Sequence, residues 1–379
     1  MLYATTARTH LGNIRRNLEG VRVRVTADRP DRLVLAAVKA DAYGHGAVEV
    51  SKMIESTGCA DWLGVATVPE AQDLRAAGVG LPILKLSHAL ASDEMRAAIE
   101  NDVVLTVVDA ENIDAVAAAA QASGRRAIVH LKVDTGMRRI GAEPDAAPGL
   151  CRRVDASPWL DLHGLFSHLP VSDTEAGRLF TAAQIARFGG VVAACEDARG
   201  PIACKHLANS GGVLMHPDSW FDMVRPGIMI YGYLPDPSSE ATVALAPGLT
   251  WTTVVAFLKR VPAGHSVGYG RTWFAPTDTW VATLPVGYGD GFSRLQSNNG
   301  RVLIGGRSYP IVGRVCMDQT MVDLGPDEPR VAVGDEAVLI GRQGPESIGC
   351  QEIADRMGTI TYEVTCLIGD RVVRQFDED

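Results

Sequence analysis

The sequence predicts an α/β chain, with an N-terminal (β/α)8 TIM-type barrel over residues 1–235 and a mainly β domain over 236–379. Eight short apolar runs rich in strand formers alternate with amphipathic, Ala-rich stretches through the first part. A Pro- and Ser-rich break, YLPDPSSEATVALAPG (233–248), reads as a linker. Beyond it the runs become β-branched, alternating, and punctuated by Gly and Pro.

In order, the eight runs are LVLAAVK (33–39), WLGVAT (62–67), PILKLS (82–87), VVLTVV (103–108), AIVHLKV (127–133), LHGLFS (162–167), ACKHLA (203–208) and GIMIYG (227–232). Helices are expected between them, as in PEAQDLRAAG (69–78) and AENIDAVAAAAQASG (110–124), the second built of good helix formers with a glycine stop. Eight such units fit a closed barrel better than a doubly wound sheet, whose GxGxxG signature does not follow the first strand. In the second domain LTWTTVVAFLKRV, WVATLPVGYG, RVLIGGRSYPIVGRV and EAVLIGR read as strands, and QEIADRMG (351–358) as a helix.

The chain has 379 residues, 46% of them hydrophobic and 21% charged, which is enough to bury a sizeable core. A formal charge of −9 argues against nucleic acid or an anionic membrane as the main partner. Seven cysteines, odd in number and without a CxxC pair, suggest neither a disulfide framework nor zinc, and fit a reducing cytoplasm. The start, MLYATTARTHLGNIRRNL, lacks the apolar core of a signal peptide, and no apolar run approaches the ~20 residues of a membrane span.

Functional residues of a barrel gather at the C-terminal ends of its strands. Lys39 and Tyr43 follow the first run, and Lys132 and Arg139 lie at or after the fifth. His168 follows the sixth, His206 with Asn209 and Ser210 surrounds the seventh, and Arg225 precedes the eighth. Lys39 has two readings: a strand-end lysine reaching water, or a Schiff-base lysine made nucleophilic by desolvation or a neighbouring cation. Tyr43, followed by Gly44 and Gly46, is either a phosphate-binding hydroxyl or a rim aromatic. Lys132 sits inside an apolar strand, where an unpaired ammonium is costly and needs a carboxylate or a chemical change. His88, His130, His163 and His216 have no ligand spacing to one another, so no metal site is expected. Cys316 reads as a packed residue, with no adjacent histidine to activate it.

VKADAYGHG resembles the cofactor-lysine motif of alanine racemases, which combine a (β/α)8 barrel, a C-terminal β domain and pyridoxal 5′-phosphate. The likeness continues in order through HLKVDTGMRRIG (130–141), SH (167–168), HLANS (206–210), MVRPGIMIYG (223–232), SVGYG (266–270), LPVGYGDG (284–291), PIVGRVCMDQTMVDL (310–324) and TITYEV (359–364). It implies a homodimer with shared active sites that interconverts L- and D-alanine by a two-base mechanism, supplying D-alanine for peptidoglycan. Lys39 would carry the cofactor and act as acid/base on one face, and Tyr269 of the partner subunit on the other. Arg225 would donate to the pyridine nitrogen, and Arg139 to the ring oxygen and the substrate carboxylate. Tyr43, Ser210, Tyr362 and the backbone of Gly227 and Ile228 would hold the phosphate, with Asn209 in the same cofactor-binding loop. His168 would pack near Tyr269, linked through His206 and Arg225. Met317 would offer its amide to the carboxylate, and Tyr288, Arg314 and Asp318 would line the entrance. Lys132 would be N-carboxylated, its negative charge holding Arg139.

Two other classes share parts of this pattern. Decarboxylases of the same fold type usually place a cysteine and an acidic loop where this chain has VGYG and CMDQ. Single-domain pyridoxal phosphate homeostasis proteins lack the second domain, and with it any Tyr269. Pro170, Gly211-Gly212, Gly268, Thr365 and Val373 depart from the common pattern of the family that the chain resembles, and leave the entrance shape and pocket lining open. They bear on specificity, and activity on serine is an open alternative, since a small pocket difference is worth only ~1–3 kcal/mol.

Overall fold

Residues 3–377 are described by the computed structural model of the chain. Two compact units emerge: one of residues 13–42 and 47–246, the other of residues 1–12, 43–46 and 247–379. The chain therefore enters the second unit three times, where the sequence suggested a single cut after residue 235.

The first unit is a closed barrel of eight parallel strands. They are Leu33–Ala37, Trp62–Val65, Ile83–His88, Val103–Val107, Ala127–Lys132, Leu160–Phe166, Cys204–His206 and Met223–Val224. Closure comes from Leu33 and Val34 pairing in register with Met223 and Val224. Val103–Val107 is buried at every position, as expected of a strand covered on both faces. Leu35, Leu84, Val104, Cys204 and Met223 pack together, with Trp62 and Leu86 against them. Seven of the eight predicted runs contain or overlap a barrel strand. The eighth does not: GIMIYG forms a 3-10 turn, Ile228–Tyr231, and the closing strand is the two-residue Met223–Val224 before it. Pro226 has no N–H for a ladder, so pairing ends there, and the apolar residues beyond it are buried in a turn.

Helix boundaries follow local chemistry. Val68–Ala76 begins with a reciprocal cap in which Glu70 N donates to Thr67 Oγ1 and Thr67 N donates to the Glu70 carboxylate. Ala110–Ser123 starts at Asp109, whose carboxylate accepts from Asn112 N, and stops at Gly124, with φ 64°. No described helix is long and apolar enough to cross a membrane.

The second unit is mainly β. Its seven-stranded sheet places Thr6–His10 between Leu249–Val254, to which it is antiparallel, and the parallel edge strand Val373–Asp377. Leu249, Trp251 and Thr253 are buried while the residues between them are only partly so, the period of two of a half-covered strand. Phe257–Val261, Thr279–Leu284 and Thr320–Gly325 form a second sheet, and Ser266–Val267 with Trp273–Phe274 a short ribbon. Val261, Val267, Ala275, Val281 and Val312 make a compact core here.

Candidate active site

Lys39 stands at the C-terminal end of the first barrel strand and is half-buried. The backbone after it is unusual: Ala40, Asp41, Ala42 and Tyr43 all have φ between 52° and 54°, and Gly44 has φ 79°. Non-glycine residues rarely occupy this left-handed region in succession, at a cost of roughly 1–2 kcal/mol each. Local bonds over-determine the turn. Ala42 N donates to Val38 O (2.8 Å), Ala40 N to Glu70 Oε1 (2.7 Å), and Ala47 N to Asp41 Oδ1 (2.8 Å). Strain held by its surroundings is a property of functional segments. Within the second unit, a side chain on Gly44 would meet Thr365 O at 2.2 Å, which explains the glycine there.

Around the same barrel end lie buried cations. Arg225 Nη1 donates to His206 Nδ1 (2.8 Å); its Nη2 donates to Ser167 O (2.7 Å) and Leu207 O (3.1 Å) and approaches His168 Nδ1 (3.4 Å). Burial pulls the Arg225 guanidinium down to about 9, which leaves it charged at neutral pH. Lys132, almost fully buried, is pulled down to about 7, first by desolvation and then by Arg225, Arg139 and Lys39, with Asp134 opposing them. Phe166 lies between these cations, its ring centre 5.1 Å from Lys132 Nζ and 5.3 Å from Arg225 Cζ. Burial and the same positive charges hold His168 and His206 well below the usual histidine range.

Asn209 and Ser210 serve the loop after the seventh strand. Asn209 Oδ1 accepts from Ser172 Oγ (2.7 Å) and Gly212 N (3.0 Å), and its Nδ2 donates to Leu169 O (3.0 Å). That occupies its amide. Ser210 Oγ accepts from Gly227 N (2.9 Å), tying together two of the segments expected to hold phosphate. Arg139 is exposed, on a loop closed by Gly141, where a Cβ would sit 2.8 Å from Asp134 N.

In the second unit three separated motifs converge. Tyr269 lies on a turn between Gly268 (φ 73°) and Gly270 (φ 71°), and a Cβ on Gly270 would sit 3.0 Å from Arg314 Nε. Tyr288 N donates to Cys316 O (3.0 Å) and Gly289 N to Met317 O (2.9 Å). Arg371 then bridges Asp318 (2.9 Å) and the fully buried Asp290 (3.1 Å), which also accepts from Tyr3 OH and Gly287 N (both 2.9 Å). Tyr43 and Tyr362 sit with ring centres 5.9 Å apart.

The alanine racemase N-terminal domain family matches residues 9–235, and the corresponding C-terminal domain family residues 248–376. The chain belongs to the alanine racemase family. It is 50% identical over 364 residues to an alanine racemase of Cutibacterium acnes, covering 96% of this chain and 95% of that protein. A Chlorobaculum tepidum alanine racemase is 45% identical, with 96% and 93% covered. The solved alanine racemase of Clostridium difficile superposes with TM-score 0.93 at 34% identity, covering 100% of this chain and 97% of that one. A Bacillus anthracis alanine racemase with bound L-Ala-P gives TM-score 0.91 at 34% identity, with 100% and 96% covered. The family is one of racemase enzymes, and the barrel with its second β domain is its fold.

Several residues at this family site carry no signal in the sequence. Glu70 braces the Lys39 turn, yet T-x-x-E at 67–70 announces only a helix start. Phe166 reads as a core aromatic. His130 and His163, treated above as unrelated histidines, form a hydrogen-bonded chain with His206. Arg371 and Asp290 are 81 positions apart, and nothing in their local sequence connects them.

Proposed function

We propose that the chain is a pyridoxal phosphate-dependent homodimer that interconverts L- and D-alanine and supplies D-alanine for peptidoglycan. The observation that carries this reading is the excess of positive charge at the barrel end. Arg225, Arg139 and Lys39 all act to discharge Lys132, with Asp134 acting the other way. An anionic ligand with a phosphate and an ionised ring oxygen suits such a donor set. Lys39 is the covalent anchor; Ser210, Gly227, Ile228, Tyr43 and Tyr362 hold the phosphate, with Asn209 shaping their loop.

When bound, the cofactor supplies an electron sink at the substrate Cα, a weak one because Arg225 can only donate to its ring nitrogen. The remaining work falls to side chains. Racemisation removes the Cα proton from one face and returns one to the other, which calls for two bases. Lys39 Nζ serves one face and the hydroxyl of Tyr269, from the partner subunit, the other. A tyrosine ordinarily titrates near ~10, so it needs nearby positive charge, which we assign to Arg225 through His168. Arg139 and the Met317 amide orient the carboxylate, while Tyr288, Arg314 and Asp318 border the entrance. Lys132, with an amine neutral near pH 7, is suited to add carbon dioxide, losing a proton and becoming an anion that holds Arg139. The reaction is placed in the cytoplasm, where seven unbridged cysteines stay reduced.

The purified protein with added pyridoxal phosphate should convert L-alanine to D-alanine, read by chiral chromatography against a panel of L-amino acids. Absence of D-alanine sinks the proposal. D-serine formed faster than D-alanine would favour the broader-specificity alternative.

A further inference from the structure

The barrel interior holds three histidines from successive strands. His206 lies on Cys204–His206, His130 on Ala127–Lys132, and His163 on Leu160–Phe166. His206 Nε2 is 2.8 Å from His130 Nδ1, and His130 Nε2 is 2.9 Å from His163 Nδ1. Phe166 stacks on His206 at 4.7 Å and 6°, and Trp62 on His163 at 5.5 Å and 25°. The strand opposite His130 is cut away to admit it. A Cβ on Gly164 would lie 2.5 Å from His130 Nδ1, so this mid-strand glycine, otherwise a weak choice, is required by the ring.

Hydrogen-bond logic gives the chain a direction. A guanidinium only donates, so His206 Nδ1, facing Arg225 Nη1, must accept. A neutral imidazole has one donor and one acceptor, so His206 Nε2 carries the proton and donates to His130 Nδ1. By the same step His130 Nε2 carries a proton and donates to His163 Nδ1. Every N–H then points away from Arg225. Among the described residues, the acceptors that face the Arg225 guanidinium are two backbone carbonyls and two histidine nitrogens, all uncharged. A polarised row of imidazoles is one of the few arrangements that can support a buried cation without a carboxylate.

We propose that His130 and His163 are positioning residues, which lock His206 in its Nε2–H form so that it always offers Arg225 an acceptor. Reversal of the chain would set an N–H of His206 against Nη1 of Arg225 and force the guanidinium off its carbonyls. The consequence for turnover rests on Arg225 facing the cofactor, as proposed above; the direction of the chain does not.

Neutron diffraction from crystals of the deuterated holoenzyme reads the chain directly. Deuterium is expected on Nε2 of His206 and His130, and its presence on Nδ1 of His206 overturns the proposal. Two substitutions at the far end add a functional readout. His163→Asn puts an amide oxygen where Nδ1 stood, whereas His163→Leu removes the acceptor. The leucine variant should lose about tenfold in kcat with little change in KM for alanine, and Arg225 should be displaced in its structure; asparagine should recover most of the loss. Adding His163→Leu to His130→Leu should cost nothing further, because the chain is already cut. Equal losses for Asn and Leu, or additive losses in the double variant, overturn the proposal. A wild-type enzyme that shows the expected deuterium positions but does not racemise alanine refutes the function reading and leaves the histidine chain standing.

Discussion

The two units treat their polar chemistry in opposite ways. In the barrel, Arg225, Lys132, His206 and His130 are all buried, and each is held by neighbours from the same unit. In the second unit the side chains of the matching motifs point outward: Tyr269 is 72% exposed, Met317 52% and Tyr288 43%. Their backbones are nevertheless pinned by glycine turns and by the Arg371 bridge. A rigid backbone presenting exposed aromatic and sulfur side chains is a surface prepared for something else. Barrel groups have finished environments; those of the second unit await one, which is why we assign Tyr269 and Met317 to a partner's site.

Removing the barrel's nucleophile should have the largest effect. Lys39→Ala should lower activity by roughly 10³-fold or more and abolish the visible absorbance of bound cofactor. An unchanged spectrum would move the covalent link elsewhere. Tyr269→Phe should also be severe, yet selective: Cα deuterium exchange should slow far more for L-alanine than for D-alanine. Equal slowing contradicts one base per face. Mixing the two inactive variants tests the contrast between the units most directly. Random reassortment should return about a quarter of the normal sites, each pairing an intact Lys39 with an intact Tyr269 from the other chain. No recovery after demonstrated subunit exchange would mean that the second unit does not serve a partner.

Disrupting the support beneath the exposed motifs should cost stability as well. Asp290 is fully buried and accepts from Tyr3, Gly287 N and Arg371. Asp290→Ala should destabilise the protein by about 2–3 kcal/mol, seen as a lower denaturant midpoint, because the buried Gly287 N–H and the partly buried Tyr3 hydroxyl lose their acceptor and Arg371 its ion pair. An unchanged midpoint would show that Arg371 and Tyr3 find other partners.

What the sequence revealed differs between the units for the same physical reasons. Barrel strands such as VVLTV are legible because burial on both faces makes them continuous apolar runs. The eighth was misplaced because GIMIY is equally apolar, while the true strand is two residues long and has no period to read. Thr6–His10 went unnoticed: TARTH is polar, and only distant partners on either side make it an inner strand of a sheet. Motif positions such as Lys39, Arg225 and Ser210 could be listed in order, but not their environment. The Arg225–His206–His130–His163 chain exists because register brings separate strands together, which no spacing along the chain reports.

Per pH unit, the smallest effect concerns the charge on Lys132. Its ammonium is pulled from 10.5 to about 7 in the folded protein, chiefly by burial and then by Arg225, Arg139 and Lys39. Unfolded chains bind a proton there up to about 10.5, whereas folded chains have released it above about 7. Between these values the unfolded state binds more protons, so this group makes stability rise with pH. Below about 7 both states are charged and the burial penalty is constant. The slope between should approach about 1.4 kcal/mol per pH unit at most, measured by urea unfolding of cofactor-free protein in carbon dioxide-free buffer. Lys132→Met should remove that slope, since methionine fills similar space without titrating. Saturating bicarbonate should extend it below about pH 7 if the amine becomes a carbamate, because the folded side chain then carries no proton there while the unfolded amine still binds one. A slope that survives the substitution belongs to other groups. One that vanishes in Lys132→Met but keeps its lower limit near pH 7 in bicarbonate leaves Lys132 an unmodified amine, and Arg139 without the anion assigned to hold it.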